Sequence, residues 1–164
     1  MRMSKSIKSR IACVAIAISL CFGAACVSNA QTASFYSVST VEREALAKVV
    51  YGEARGCEKM EQAAIVWCIL NRVDSKDPAF PDTIAKVIVQ PGQFYSRVPD
   101  YPVEDDILAL VNDIVDDWEI GLDDDRVLPE EYVFYVGDGA HNHFRKEIGS
   151  SLEWDWSLPN PYED

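Results

Sequence analysis

The chain has 164 residues, with 15 basic and 27 acidic side chains and a formal net charge of −12. Nucleic acids and anionic membrane surfaces are recognised through basic side chains, so this charge balance argues against both as partners. The length suits one domain with one real core, and no internal repeat or linker marks a second module.

Residues 1–30 are typical of a secretory signal peptide. Four basic residues within the first ten precede the apolar run Ile11–Val27, and Ser28-Asn29-Ala30 supplies small residues for cleavage after Ala30. The run is shorter than the ~20 residues that comfortably span a bilayer, which makes a retained anchor the less favoured interpretation. We therefore expect a secreted, extracellular protein that leaves the membrane after cleavage, and we also expect a monomer.

After cleavage, 11 of the 15 basic residues would remain against all 27 acidic ones, a net charge near −16. We expect residues 31–38 to form a flexible leader and residues 39–164 to form the domain. Within it, apolar residues at helical spacing predict four helices. The first begins at a capping box made by Ser39 and Glu42. The others are expected at Lys59–Arg72, at 81–89 with Asp82 as the cap, and at 103–119 before Gly121.

The remainder of the domain predicts loops and a small β element. Residues 91–96 and the acidic stretch 123–125 are expected to be loops. A short strand is predicted at 131–136, followed by a turn at 137–139. The fold class is therefore α+β, mostly helical with a small β element.

Two cysteines, Cys57 and Cys68, lie outside the signal segment. If the residues between them were helical, the two would be ~16 Å apart, beyond the reach of a disulfide. Cys68 falls inside an apolar helical pattern and is expected to be a core thiol.

Glu53 is the first candidate for chemistry. It follows Val49 by four residues and therefore extends the apolar stripe of the first helix. A carboxylate there must be paired or must hold a proton, and a protonated carboxyl is the general acid that glycosidic cleavage requires. The alternative is a structural ion pair with Arg55 or Arg72.

Two sequence blocks around Glu53 resemble the SleB-type cell wall hydrolase family, which includes the catalytic domain of spore-cortex-lytic enzymes. The blocks are residues 51–56 (Tyr-Gly-Glu-Ala-Arg-Gly) and residues 63–73, which end in Leu-Asn-Arg-Val. Residues 80–84 and 91–94 match further on, in the family's order. The resemblance implies a lysozyme-like fold and cleavage of the bond between N-acetylmuramic acid and N-acetylglucosamine, with Glu53 as the catalytic residue.

One departure from the family concerns the position after these six residues. Many members have an acidic residue there, whereas this chain has Cys57 followed by Glu58. The departure weakens any role for a second carboxylate at that corner.

The number of carboxylates decides the mechanism. Glycosidases generally use two, and the candidates for a second are Asp138, Glu147 and Asp155. With Glu53 alone, a lytic transglycosylase reaction is the leading hypothesis, partly because the resemblance favours it, and a hydrolytic muramidase is the alternative.

The substrate-binding candidates combine residues of the matched blocks with aromatic and polar residues further along the chain. Trp154 and Trp156 could add a sugar platform, although core packing is the favoured interpretation. The predicted substrate contacts are Tyr51, Arg55, Gln93, Phe94, Tyr95, Tyr135 and Asp138.

A zinc-dependent peptidoglycan amidase is a rival hypothesis, because His141 and His143 form a His-x-His pair. A zinc site requires a third protein ligand, and the chain has no further histidine. We therefore favour an exposed polar turn for these two residues and predict no metal or cofactor. A non-catalytic wall-binding module is the second rival. Peptidoglycan glycan strands are the expected partner in each case.

Overall fold

The computed structural model describes residues 37–94, 98–122 and 125–149. In these residues the chain is mostly helical with one two-stranded antiparallel sheet, which confirms the predicted α+β class. The helices are α1 (Thr40–Ala54), α2 (Lys59–Asp74), α3 (Ile84–Ile88) and α4 (Asp105–Glu119), with a 3-10 turn at Val98–Asp100; the strands are β1 (Phe134–Gly137) and β2 (Asn142–Arg145).

Helix α1 begins as the sequence predicts. The Ser39 hydroxyl accepts a hydrogen bond from the backbone N–H of Glu42, and the Glu42 carboxylate accepts one from the backbone N–H of Ser39. The capping box is confirmed, and it satisfies N–H groups that the first helical turn leaves without partners. Arg43, one residue further on, forms ion pairs with Asp116 at 2.8 Å and Glu119 at 2.7 Å, which connect α1 to α4.

Helix α2 is the centre of the core, and α1, α3 and α4 all contact it. Every residue from Met60 to Arg72 is buried. Full burial of a leucine or isoleucine side chain stabilises a protein by about 1.5–3 kcal/mol, so the apolar residues of this helix are a main source of stability. The polar exceptions need internal partners: Asn71, for example, donates to the carbonyl oxygens of Pro129 and Tyr132.

Two helix starts differ from the predictions. The predicted cap Asp82 is wrong: Thr83 is the N-cap of α3, because its hydroxyl accepts from the Lys86 N–H, while Asp82 forms an exposed ion pair with Lys86. Helix α4 begins at Asp105, two residues later than expected. Its end agrees with the sequence, since Gly121 follows with a positive φ of 69°, which favours glycine.

The β element is a hairpin, of which only one strand was expected. The first strand begins at Phe134 rather than at residue 131, and Gly137 belongs to it. Residues 142–145 form the unpredicted second strand, with Phe134 opposite Arg145 and Gly137 opposite Asn142. The polar Asn142 takes a buried position in this strand, so the alternation that normally reveals a strand was hidden.

The prediction that Cys68 is a core thiol is confirmed. Cys57 and Cys68 are both free, and Cys68 is completely buried in the core. Within the described ranges, no helix combines the length and apolar character that crossing a membrane would require.

Candidate active site

Glu53 lies in the last turn of α1 and is half-buried at the side of a cleft of about 430 Å³. One wall is the end of α1 and the residues after it, 52–57. The opposite wall is the turn of the β hairpin, formed by Gly137 and residues 139–142. Among the described residues that line this cleft, Glu53 is the only carboxylate.

Tyr135 places a hydroxyl group beside Glu53. Burial is the largest cause of a pKa of Tyr135 well above its usual range, and the charge of the Glu53 carboxylate raises it further. The hydroxyl makes no hydrogen bond of standard geometry with a described residue, so the side-chain contact with Glu53 is long or poorly aligned. The phenol stays protonated at neutral pH and is a donor available to the carboxylate.

Asn142 connects the two walls of the cleft. Its side-chain amide donates to the backbone carbonyl oxygen of Glu53 at 3.1 Å and to the Glu61 carboxylate at 2.8 Å. The backbone N–H of Asn142 also donates to Glu61, at 2.6 Å. The hairpin is thereby fixed against the end of α1 by hydrogen bonds between segments that are far apart in the sequence.

Sequence reasoning missed Glu61 and Asn142. Glu61 lies four residues before Ile65, inside the apolar pattern of α2, and an acidic residue in such a pattern was the available signal. Asn142 had no signal of its own, because its partners are brought to it by the fold.

Cys57 is one of the residues that line the cleft. Burial, followed by a side-chain hydrogen bond with Glu61 and the charge of that carboxylate, raises the pKa of Cys57 to about 12. The residue therefore carries a neutral thiol at physiological pH and is not suited to act as a nucleophile.

The two histidines have separate carboxylate neighbours. Nδ1 of His141 lies 3.1 Å from the Glu61 carboxylate, and Nε2 of His143 lies 2.7 Å from the Asp138 carboxylate. The expectation of a plain exposed turn is wrong for His143, which lies half-buried in β2 because that strand pairs with β1. Across the described ranges, no group of three or more His, Cys, Asp and Glu side chains is arranged to hold a metal ion.

Asp138 organises the hairpin turn. Its Oδ1 accepts from the backbone N–H groups of Ala140 and His141, both at 2.8 Å. These bonds, with that to His143 as the largest cause, hold the pKa of Asp138 below its usual range. Asp138 is thus adjacent to cleft-lining residues, and its predicted contact with substrate stays a prediction.

Arg72 is buried beneath the loop that precedes β1. Its Nε donates to the carbonyl oxygen of Val133 at 2.6 Å and its Nη1 donates to Gln93 at 3.0 Å. The guanidinium lies within 6 Å of the ring centroids of Phe80, Phe94 and Phe134. Arg72 is therefore held by the Val133 carbonyl, Gln93 and three aromatic rings, and the alternative of an ion pair with Glu53 stays a prediction.

The remaining predicted contacts are distributed unevenly. Arg55 lines the Glu53 cleft, whereas the Tyr51 ring packs against Tyr101 with 5.5 Å between centroids. Gln93 binds Arg72, and Phe94 lines a second groove, of about 520 Å³. Outside the described residues lie Tyr95, Trp154, Asp155 and Trp156.

Comparison with known proteins supports the resemblance seen in the sequence. Residues 56–121 match the family described as Cell Wall Hydrolase, a range that begins three residues after Glu53. These residues are therefore similar to the cell wall hydrolase family. The resemblance to SleB-type cell wall hydrolases is thus confirmed.

Two curated relatives share the name spore cortex-lytic enzyme. The protein from Halalkalibacterium halodurans is 38% identical over 122 residues, which are 70% of this chain and 30% of the relative. The one from Bacillus subtilis is 32% identical over 122 residues, 70% of this chain and 32% of the relative. The chain spans about a third of the length of both. No solved structure matches, so the lysozyme-like fold stays a prediction.

Proposed function

We propose that the protein is a peptidoglycan-cleaving glycosidase and that Glu53 is its catalytic acid and base. The observation that carries the proposal is the position of Glu53, half-buried and without a second carboxylate among the described cleft-lining residues. The cell wall hydrolase match supports peptidoglycan as the substrate class. The name of the two relatives makes spore cortex, degraded during germination, the first substrate to test.

A single carboxylate is sufficient for a lytic transglycosylase reaction. Glu53, protonated, gives its proton to the glycosidic oxygen between N-acetylmuramic acid and N-acetylglucosamine as that bond breaks. The 6-hydroxyl of the muramic acid then bonds to its own C1, and its proton returns to Glu53. No water is consumed, and the product carries a 1,6-anhydromuramic end.

Surrounding groups assist the two proton transfers. The Tyr135 hydroxyl donates toward the Glu53 carboxylate when that group is charged, which stabilises the state between the two steps. Arg55, at the same wall of the cleft, offers a cation to the carboxylate of the muramic lactyl group or stem peptide. In this mechanism Tyr135 and Arg55 assist Glu53, which acts without a second carboxylate.

Hydrolysis by a muramidase is the competing outcome at the same site. It would require a water molecule in place of the 6-hydroxyl and, in most glycosidases, a second carboxylate to activate it. Three residues were candidates for this second carboxylate. Asp138 is held in the hairpin turn, Glu147 is exposed, and Asp155 lies outside the described residues.

The wider setting belongs to the same proposal. The predicted signal peptide makes this a secreted protein that acts on glycan strands outside the cell membrane, and we expect a monomer that leaves the membrane after cleavage. The surplus of acidic side chains keeps such a protein soluble.

The test is digestion of purified peptidoglycan by the purified protein, with Glu53→Gln beside it and mass spectrometry of the products. Anhydromuramic ends that vanish with Glu53→Gln support the transglycosylase. Reducing muramic ends would assign a muramidase instead. Free stem peptides, or digestion unchanged in Glu53→Gln, would overturn the proposal. Glycan binding without cleavage by the wild-type protein would indicate a wall-binding module.

A further inference from the structure

Glu61 is a buried carboxylate that the proposed chemistry does not use. It lies in the first turn of α2 and only 3% of its surface is exposed. Burying a carboxylate is costly unless its oxygens are hydrogen-bonded. Its partners therefore indicate what the residue stabilises.

Beside the contact of Glu61 with the Cys57 thiol, both of its oxygens are directed at two consecutive residues about 80 positions away in the sequence. Oε1 accepts from the backbone N–H of Asn142 at 2.6 Å and from its side-chain amide at 2.8 Å. Oε2 lies 3.1 Å from Nδ1 of His141. The backbone and two side chains at the start of β2 are thus held by one carboxylate.

The same contacts reach Glu53. The Asn142 amide that binds Glu61 also donates to the Glu53 carbonyl oxygen at 3.1 Å. His141 and Asn142 line the cleft opposite the end of α1. The two walls are therefore joined through Asn142, and Glu61 determines where Asn142 lies.

We infer that Glu61 is a positioning residue for Glu53, an inference that rests on the proposed function. Glu61 orients Glu53 through Asn142 and also sets the width of the cleft. Glu61 does not contact substrate itself, because it lies behind the cleft wall and does not line the cleft. Its effect is on the distance and direction of the Glu53 carboxylate relative to a bound glycan. A displacement of about 1 Å in such a group can lower a rate about a hundredfold.

The charge of Glu61 is the property to change. Glu61→Gln keeps the size and one oxygen acceptor, but an amide binds the two Asn142 donors less strongly than a carboxylate does. A matched control is Glu58→Gln, because Glu58 is exposed at the start of the same helix and its side chain makes no cap hydrogen bond.

The experiment measures kcat and KM on soluble glycan strands for the wild type, Glu61→Gln, Asn142→Ala, the double variant and Glu58→Gln. Rates are expressed per folded molecule, with the folded fraction measured by circular dichroism at the assay temperature. We expect Glu61→Gln to lower kcat about 10- to 100-fold with KM changed less than about threefold, because the acid is misplaced while binding remains. Glu58→Gln should match the wild type.

The double variant separates positioning from a merely structural role. If Glu61 acts through Asn142, the double variant should lose no more kcat than the more impaired single variant. A kcat of Glu61→Gln within about twofold of wild type, or losses that multiply in the double variant, overturns the inference.

Glu53→Gln in the same assay distinguishes this inference from the proposed function. Retained activity of Glu53→Gln overturns the proposed function and this inference with it. An inactive Glu53→Gln beside a normal Glu61→Gln overturns this inference alone.

Discussion

The backbone carbonyl oxygen of Glu53 accepts a hydrogen bond from the side chain of Asn142, 89 residues later in the chain, at 3.1 Å. This bond fixes the last turn of α1, where a helix leaves its carbonyl groups without helical partners. It also brings the β hairpin to the catalytic candidate. The position of Glu53 is therefore a property of two distant segments rather than of α1 alone.

Tyr135→Phe tests the hydroxyl beside Glu53. The ring would keep its packing against Phe144, at 5.7 Å between centroids, while the donor is removed. We expect cleavage to slow about tenfold, because the charged Glu53 loses a donor that it would use during the reaction, with a melting temperature equal to or above that of the wild type. Steady-state cleavage rates and thermal unfolding curves measure the two effects.

Tyr132→Phe is the matched control for that experiment, because Tyr132 packs under Lys146 and does not line the cleft. Equal rates for Tyr135→Phe and the wild type would mean that the phenol does not assist Glu53.

Gly52→Ala tests the close contact beside Glu53 in the last turn of α1. A Cβ at residue 52 would lie 2.5 Å from Cε2 of Tyr101, closer than real contacts allow, so the ring must move. We expect the free energy of unfolding to fall by about 1–3 kcal/mol, as in other overpacked sites. Urea unfolding measures the change.

Gly56→Ala is the control, since a Cβ there meets no described atom within 4 Å and no positive φ is recorded at this residue. If Gly52→Ala and Gly56→Ala both unfold at the same urea concentration as the wild type, the contact with Tyr101 does not exclude a larger side chain at residue 52.

Asp138 should contribute to the stability of the protein in a pH-dependent manner. Its pKa is lower in the folded protein than the usual value near 4, mainly through the hydrogen bond with His143. A lowered folded pKa gives stability that is present above the unfolded value and is lost as pH falls below about 4. We therefore expect Asp138→Asn to lower the urea midpoint at pH 7 more than at pH 3.

The exposed Asp113 of α4 provides the control for the loss of one negative charge, and Asp113→Asn should change the urea midpoint little. A difference between wild type and Asp138→Asn that grows toward pH 3 would show that the sign is wrong.

The Cys57 thiol should react slowly with iodoacetamide. With a pKa of about 12 in the folded protein, compared with about 8.5 for a free thiol, its thiolate is scarce at pH 8. We expect alkylation at least about a hundredfold slower than in the urea-unfolded chain. Mass spectrometry of the peptide that contains Cys57 follows this residue separately from the other cysteines.

Glu61→Gln should make the same thiol react faster, because that carboxylate contributes to the raised pKa. Rapid labelling of Cys57 in the native wild type would contradict the burial and the contact described for it.

The helices could be predicted from the sequence because the signals for them are local. The Ser39 capping box and the apolar spacing of α2 depend on residues within a few positions of one another, and both are confirmed. The same spacing predicted Glu53 on the apolar stripe of α1, whereas its place beside a cleft was not predicted. Its functional role stays a prediction.

The second strand and the Glu61 contacts could not be predicted, since their stabilising partners are distant. Asn142 is polar and buried because Glu61 and the Glu53 carbonyl receive its N–H groups. No pattern within β2 expresses that. Likewise, Thr83 rather than Asp82 caps α3 through backbone geometry, although both residue types favour caps.

The Arg72 contacts have a consequence for how the chain folds. Helix α2 can form from local contacts, yet its buried guanidinium needs the Val133 carbonyl, 61 residues later, and Gln93, 21 residues later. Until those segments arrive, docking the helix would bury an unpaired cation. We therefore expect the docking of α2 to be coupled to the closure of these long-range loops, which makes folding slower than local contacts alone would allow.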